Sequence, residues 1–274
     1  MLSSNNDSGH QSPMNYSTLR VNEHELEFLH ISSRGRGPCL VLLHEGLGCI
    51  AMWKDFPTEL SRETGLDVFA YSRASYGGSS PGEFPRAIDF HTREARDILP
   101  AVLDNLEICS CILVGHSDGA SIALLNAAIV QDHRVKGIVA LSPHVLNESR
   151  CREEIRSAVD EYESGNLRAK LKRYHGSNVD YAFRGWSDTW LSMEFLDWDF
   201  RSCLSRIHCP VLTIRGVEDP YNTSIHLDAI RQEVGQEVEA HELADCGHFP
   251  HVEQKIQTVK LVSDWFKLNF SELN

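Results

Sequence analysis

The sequence predicts an α/β domain: a mostly parallel central sheet flanked by helices, with a helical block inserted late in the chain. Three observations carry this. Strand-like and helix-like segments alternate along most of the 274 residues, the pattern that strand–helix–strand crossovers require. Several strand-like segments are continuous apolar runs, such as Cys39-Leu40-Val41-Leu42-Leu43, which suit strands covered on both faces. One block, residues 145–205, breaks the rhythm; it is helical, charged and aromatic, with Trp186, Trp190 and Trp198.

The elements follow in order. Residues 1–18 are polar and rich in Ser and Asn, and predict a disordered tail; the folded domain then spans 19–274. Residues 19–31 alternate apolar and polar, with a polar break at 22–24, and read as a hairpin. Residues 39–44 read as a buried strand. Residues 52–64 read as a helix broken early by Pro57, and 67–71 as a short strand. The stretch from Arg73 to Pro85 is rich in Gly, Ser and Pro and reads as a long loop. Helical periodicity covers 88–106. A strand follows at 111–115, an apolar helix at 120–130 and a strand at Val135–Leu141. After the inserted block come strands at 210–215 and Val238–Leu243, separated by a helical stretch at 224–234. An amphipathic helix at 252–268 closes the chain.

Composition excludes some functions. With 42% apolar and 24% charged residues the chain is an ordinary globular one. Lys and Arg number 26 against 39 Asp and Glu, a formal charge of −13. Such a surface repels phosphate backbones and anionic lipid, so neither a nucleic acid nor a membrane is expected as partner. No apolar run reaches the length of a membrane span. The N-terminus lacks the basic and apolar regions of a secretory signal. The eight cysteines are scattered, with no metal-type spacing. Reduced thiols and a cytoplasmic location are therefore expected.

The chemistry gathers where strands end. Gly115-His116-Ser117-Asp118-Gly119 follows a strand and opens a helix, the setting of a nucleophile elbow. So tight a turn needs small residues two positions either side of the nucleophile. It lifts the Ser117 hydroxyl above the sheet and aims helix N-terminal amides at a reacting carbonyl. A nucleophilic serine needs a base, and the base an orienting acid, in the chain order Ser, Asp or Glu, His. His248, between the last strand and the last helix, is the candidate base, chosen over His251. Asp219, fourth residue of a Gly-x-x-Asp turn, is the candidate acid, chosen over Glu218. The oxyanion needs two backbone N–H donors, assigned to Asp118 and to Gly46, with Glu45 as the neighbouring alternative for the second.

With these residues in place the sequence resembles the α/β-hydrolase superfamily, in the branch with a helical cap and a cofactor-free Ser-Asp-His triad. The carrying segments are LLHEGLG, YSRASYGGSSP, GHSDGASIAL, RGVEDPYNT and DCGHFPH, which together span residues 41–251. The resemblance implies a serine hydrolase, most simply a carboxylic ester hydrolase. Its substrate would be a small molecule, and it would need neither metal nor organic cofactor. The cap would be the insertion at about 145–205. C–C bond hydrolysis, lactone hydrolysis and acyl transfer use the same triad. A non-catalytic small-molecule receptor on the same fold is the reading from another class.

Two departures stand out. Glu45 replaces the Gly common in the family beside the oxyanion donor, and Asp118 replaces a neutral residue. Asp118 at a helix N-terminus gains about 0.3–1 kcal/mol from the helix dipole. Glu45 has no such reason, and an unneutralised carboxylate there opposes a developing oxyanion. Two readings remain: an ion pair with a loop residue such as Arg73, or contact with a polar substrate. Trp186 and Trp190 fall on one face of a helix, as core residues or as a wall against the substrate.

Overall fold

In the computed structural model the described residues are 16–270, apart from Arg34 and Arg36. Residues 1–15 of the expected tail lie outside them. Its last two residues, Ser17 and Thr18, are instead paired in the first strand.

Eight strands form one sheet in the order β1-β2-β4-β3-β5-β6-β7-β8. The hairpin is β1 (Ser17–Val21) and β2 (His24–Ile31), closed by Asn22 at a positive φ of 53°, a conformation Asn tolerates better than most residues. β2 pairs antiparallel with β4 (Val68–Tyr71). From β4 onward every pairing is parallel, through β3 (Cys39–Leu43), β5 (Cys111–His116), β6 (Val135–Leu141), β7 (Val211–Gly216) and β8 (Val238–Leu243).

Alternation of side chains along each strand splits the core in two. Val41, Leu43 and Leu113 join one buried cluster, with Leu99, Val102 and Ile122 from helices. Leu40, Leu42, Ile112 and Val114 join the other, with Phe56, Val262, Trp265 and Phe266. Both faces are covered, which is why these strands read as unbroken apolar runs. The second cluster is closed by α1 (Phe56–Thr64) and α10 (Lys255–Phe270). On the first lie α2 (Phe90–Arg93) and α3 (Leu99–Asn105), joined by a widened turn at Glu94–Ile98. Beside them is α4 (Asp118–Leu125), extended by a similar turn at Asn126–Val130. Every residue of α4 is buried, as expected of a helix apolar all round.

Two helix boundaries depart from expectation. Pro57 does not break a helix from Met52. Residues Ile50–Trp53 form a separate 3-10 turn, and Pro57 sits in the first turn of α1, where its missing N–H costs nothing. The closing helix is likewise split: a single turn, α9 (Pro250–Glu253), ends at Gln254 before α10 begins.

Between β6 and β7 lie α5 (Ser149–Ser164), α6 (Leu167–His175) and α7 (Val179–Leu191). They carry their own core, in which Tyr162 stacks on Phe183 with centroids 3.7 Å apart. α8 (Ile225–Glu233) fills the crossover from β7 to β8.

Candidate active site

Ser117 caps β5 at φ 53° and ψ −116°, a conformation costing roughly 1–3 kcal/mol outside glycine. Its surroundings enforce the turn. A Cβ on Gly115 would strike the Gly119 carbonyl and the Ala120 backbone. A Cβ on Gly119 would strike the Leu43 and His44 carbonyls. The Ser117 amide is tied to the Leu141 carbonyl at 2.9 Å. Strain held in this way is typical of a working site.

The candidate base and acid stand at the ends of neighbouring strands. Asp219 follows β7 and His248 follows β8, and His248 Nδ1 lies 2.8 Å from Asp219 Oδ2. A carboxylate only accepts, so Nδ1 carries the hydrogen, and Nε2 is left as the basic nitrogen. The other Asp219 oxygen accepts the Tyr221 amide at 2.9 Å. Burial would raise the Asp219 carboxyl, but the facing His248 ring and these hydrogen bonds outweigh it and hold it at about 2. Burial likewise opposes charge on His248. The carboxylates of Asp219, Glu45 and Asp118 outweigh it and push the ring above its usual 6.5. The two alternatives lie elsewhere. Glu218 is exposed. His251 is buried against the rings of Trp53 and Phe56, and that burial keeps it neutral. Ser117 and His248 line one cavity of about 60 Å³. No hydrogen bond joins them directly, as is common before substrate is bound.

The loop after β3 brings Glu45, Gly46 and Leu47 to the same cavity. Arg73 fixes it: its guanidinium donates to the carbonyls of His44 (2.6 Å) and Glu45 (2.9 Å), and its amide to His44 Nε2. Tyr76 donates to the Gly46 carbonyl at 2.8 Å. The expected ion pair between the Glu45 carboxylate and Arg73 is therefore not formed. Arg73 is occupied by backbone carbonyls, while the Glu45 carboxylate turns back over Gly48 towards His116 Nδ1, 3.4 Å away. Gly46 admits no side chain, because a Cβ there would enter the Trp186 indole.

Asp118, the first residue of α4, is only 1% exposed. Its Oδ1 accepts the Trp190 indole N–H at 3.2 Å and lies 3.2 Å from His91 Nε2; its Oδ2 is buried without a partner. Burial would raise this carboxyl, but His91, Arg73 and Arg86 hold it at about 2. Trp186 and Trp190, both on α7, belong to the core of the inserted helices and also line the cavity, so the two readings of them are not exclusive. His175 of α6 accepts the Gly77 amide at Nδ1 and donates from Nε2 to the Leu47 carbonyl at 2.9 Å. Asn178 donates to the carbonyls of Gly77 and Ser79.

Several residues at the site were not singled out from the sequence. His144 and Tyr221 line the cavity, and burial holds His144 neutral. His116 lies beneath His248, its Nε2 2.8 Å from the His248 carbonyl. Its position beside Ser117 was the available signal. His144 and Tyr221 follow β6 and β7, so their place after strand ends was theirs.

A model described as the alpha/beta hydrolase family matches residues 40–260. The chain belongs to that family. The human protein named serine hydrolase BPHL is 29% identical over 250 residues, covering 87% of this chain and 83% of its own. Among solved structures, the enol-lactonase from Burkholderia xenovorans LB400 superposes with a TM-score of 0.71 at 21% identity, over 91% of this chain and 99% of its own. Proline iminopeptidase from Mycobacterium smegmatis superposes at 0.70 and 17% identity, over 95% and 100%. The molecule is thus a hydrolase on an α/β-hydrolase fold. Its structural neighbours are named for different bonds, so the fold alone does not choose one.

Proposed function

We propose that this hydrolase cleaves a carboxylic ester of a small molecule through an acyl-enzyme on Ser117. The observation that carries the reading is the Asp219–His248 pair at 2.8 Å beside a serine held at positive φ. Ser117 Oγ attacks the carbonyl carbon as His248 Nε2 takes its proton. The amides of Gly46 and Asp118 receive the oxyanion. His248 then delivers the proton to the leaving alcohol. Water, deprotonated by His248, attacks the acyl-enzyme, releasing the acid and restoring Ser117. Asp219 holds the tautomer and stabilises the imidazolium between these steps.

The cavity also bears on what enters. It is small beside the roughly 300–1,000 Å³ of sites for drug-sized ligands, which favours a short acyl group. Asp118 lines it, and its Oδ2 lacks a partner. A carboxylate-bearing acyl group would meet like charge, so neutral or cationic groups are favoured. Lactone and C–C bond hydrolysis use the same groups and remain outcomes of a substrate screen. A cytoplasmic site of action fits the eight free cysteines.

Treatment with a fluorophosphonate, read by intact mass, tests the reading. One adduct is expected on wild type and none on Ser117→Ala. Folded wild type that takes no adduct and turns over no activated ester would sink the proposal in favour of a small-molecule receptor.

A further inference from the structure

Glu45 was the residue the sequence left without a reason, and its partner answers the charge problem. His116 Nε2 faces the His248 carbonyl at 2.8 Å. A carbonyl only accepts, so Nε2 carries a hydrogen. A neutral imidazole has one such hydrogen, and its Nδ1 would then present a lone pair. Nδ1 lies 3.4 Å from Glu45 Oε2, and a carboxylate also only accepts. Two lone pairs facing each other in a buried site repel. Only one further proton makes the contact attractive.

We infer that Glu45 and His116 form an imidazolium–carboxylate pair that positions the catalytic base. This rests on the serine-hydrolase reading above. The pair joins three segments: Glu45 beside the Gly46 donor, His116 at the end of β5 beside the nucleophile, and the backbone of His248. Its shared proton cancels the Glu45 charge next to the oxyanion, and its other hydrogen bond fixes the segment carrying the base. Burial raises the Glu45 carboxyl, but His116 outweighs it, with Arg73 adding to the effect, and the net position is below the usual carboxylate range. The surrounding groups do not supply the missing proton. Arg73 is spent on carbonyls. His175 is engaged by Gly77 and Leu47. The Cys49 thiol is pushed up to about 12 by burial. On the His116 side stand the rings of Trp53, His248, Phe249 and His251, with Lys54 near His251.

Two readouts test the pair. Nitrogen-15 spectra of the histidine rings should show at pH 7 one ring doubly protonated in wild type that becomes singly protonated in Glu45→Gln. The Gln amide can donate to Nδ1, so it keeps the link without the shared proton. A His116 ring with a bare Nδ1 in wild type would overturn the inference. The second readout is the rate of fluorophosphonate labelling at pH 7. With the Glu45 charge cancelled by the shared proton, its removal gains nothing, so Glu45→Gln should label no faster than wild type. A Glu45→Gln rate about tenfold or more above wild type would show an uncancelled carboxylate beside the oxyanion and would also overturn the inference. Should His116→Phe fold, it should label at least about tenfold more slowly than wild type. If wild type takes no label at all, the serine-hydrolase reading fails, and the ring spectra, which need no substrate, still decide the shared proton.

Discussion

At the scale of single residues, the Asp219–His248 contact carries the sharpest expectations. His248 must be neutral to accept a proton, and its pKa lies above 6.5. Ester hydrolysis should therefore rise with pH through a midpoint above that value. In Asp219→Asn the carboxylate is gone, so the midpoint should move down, and kcat should fall roughly 10³–10⁴-fold because the tautomer is no longer held. A pH–rate profile of both proteins checks the two effects together. The same contact links stability to acid. Asp219 sits at about 2 when folded against 3.8 as its ordinary value. Its stabilisation is present above about pH 4 and is lost as pH falls towards 2. Thermal melts of wild type against Asp219→Asn should converge over that interval. That Ser117, Asp219 and His248 gather at one site was legible, because the proposed chemistry demands fixed residue types in a fixed order. The destination of the Glu45 side chain was not, since it depends on a histidine 71 positions away.

At the scale of elements, the sheet was legible almost to the residue, because its central strands, covered on both faces, read as apolar runs and its outer strands alternate. Val135–Leu141 falls where its largely apolar run places it; Val238–Leu243, a half-buried edge strand, falls where alternating apolar and polar residues place it. The start of α1 was not legible from periodicity. There the decisive fact is that proline is unfavourable inside a helix and harmless in its first turn. Close approach of elements gives a further prediction. α4 packs so tightly on β3 that Gly119→Ala drives a Cβ into the Leu43 and His44 carbonyls. Backbone cannot yield as a side chain can, so a loss of about 3 kcal/mol or more is expected, read from chemical denaturation. In the inserted helices, Phe183→Ala removes a fully buried ring stacked on Tyr162. It should cost about 3–5 kcal/mol and lower the melting temperature. Ser117, outside that cluster, should then be labelled at an altered rate only through its cavity wall.

At the scale of the whole molecule, the formal charge of −13 acts in the same direction as the Asp118 carboxylate at the cavity. Anionic esters should show kcat/KM values that rise as salt is added, while those of cationic esters fall and those of neutral ones stay level. A salt series on three matched substrates measures this. The insertion between β6 and β7 was visible as a break in strand–helix alternation. The cavity it encloses was not, because cavity shape depends on how Trp186 meets Gly46 and Trp190 meets Asp118, contacts between segments far apart in sequence. His175 of α6 holds both the Leu47 carbonyl and the Gly77 amide. The inserted helices and the loop carrying Gly46 are thereby latched together. A displacement of α6 would break both hydrogen bonds and leave that loop suspended from Arg73 and Tyr76 alone.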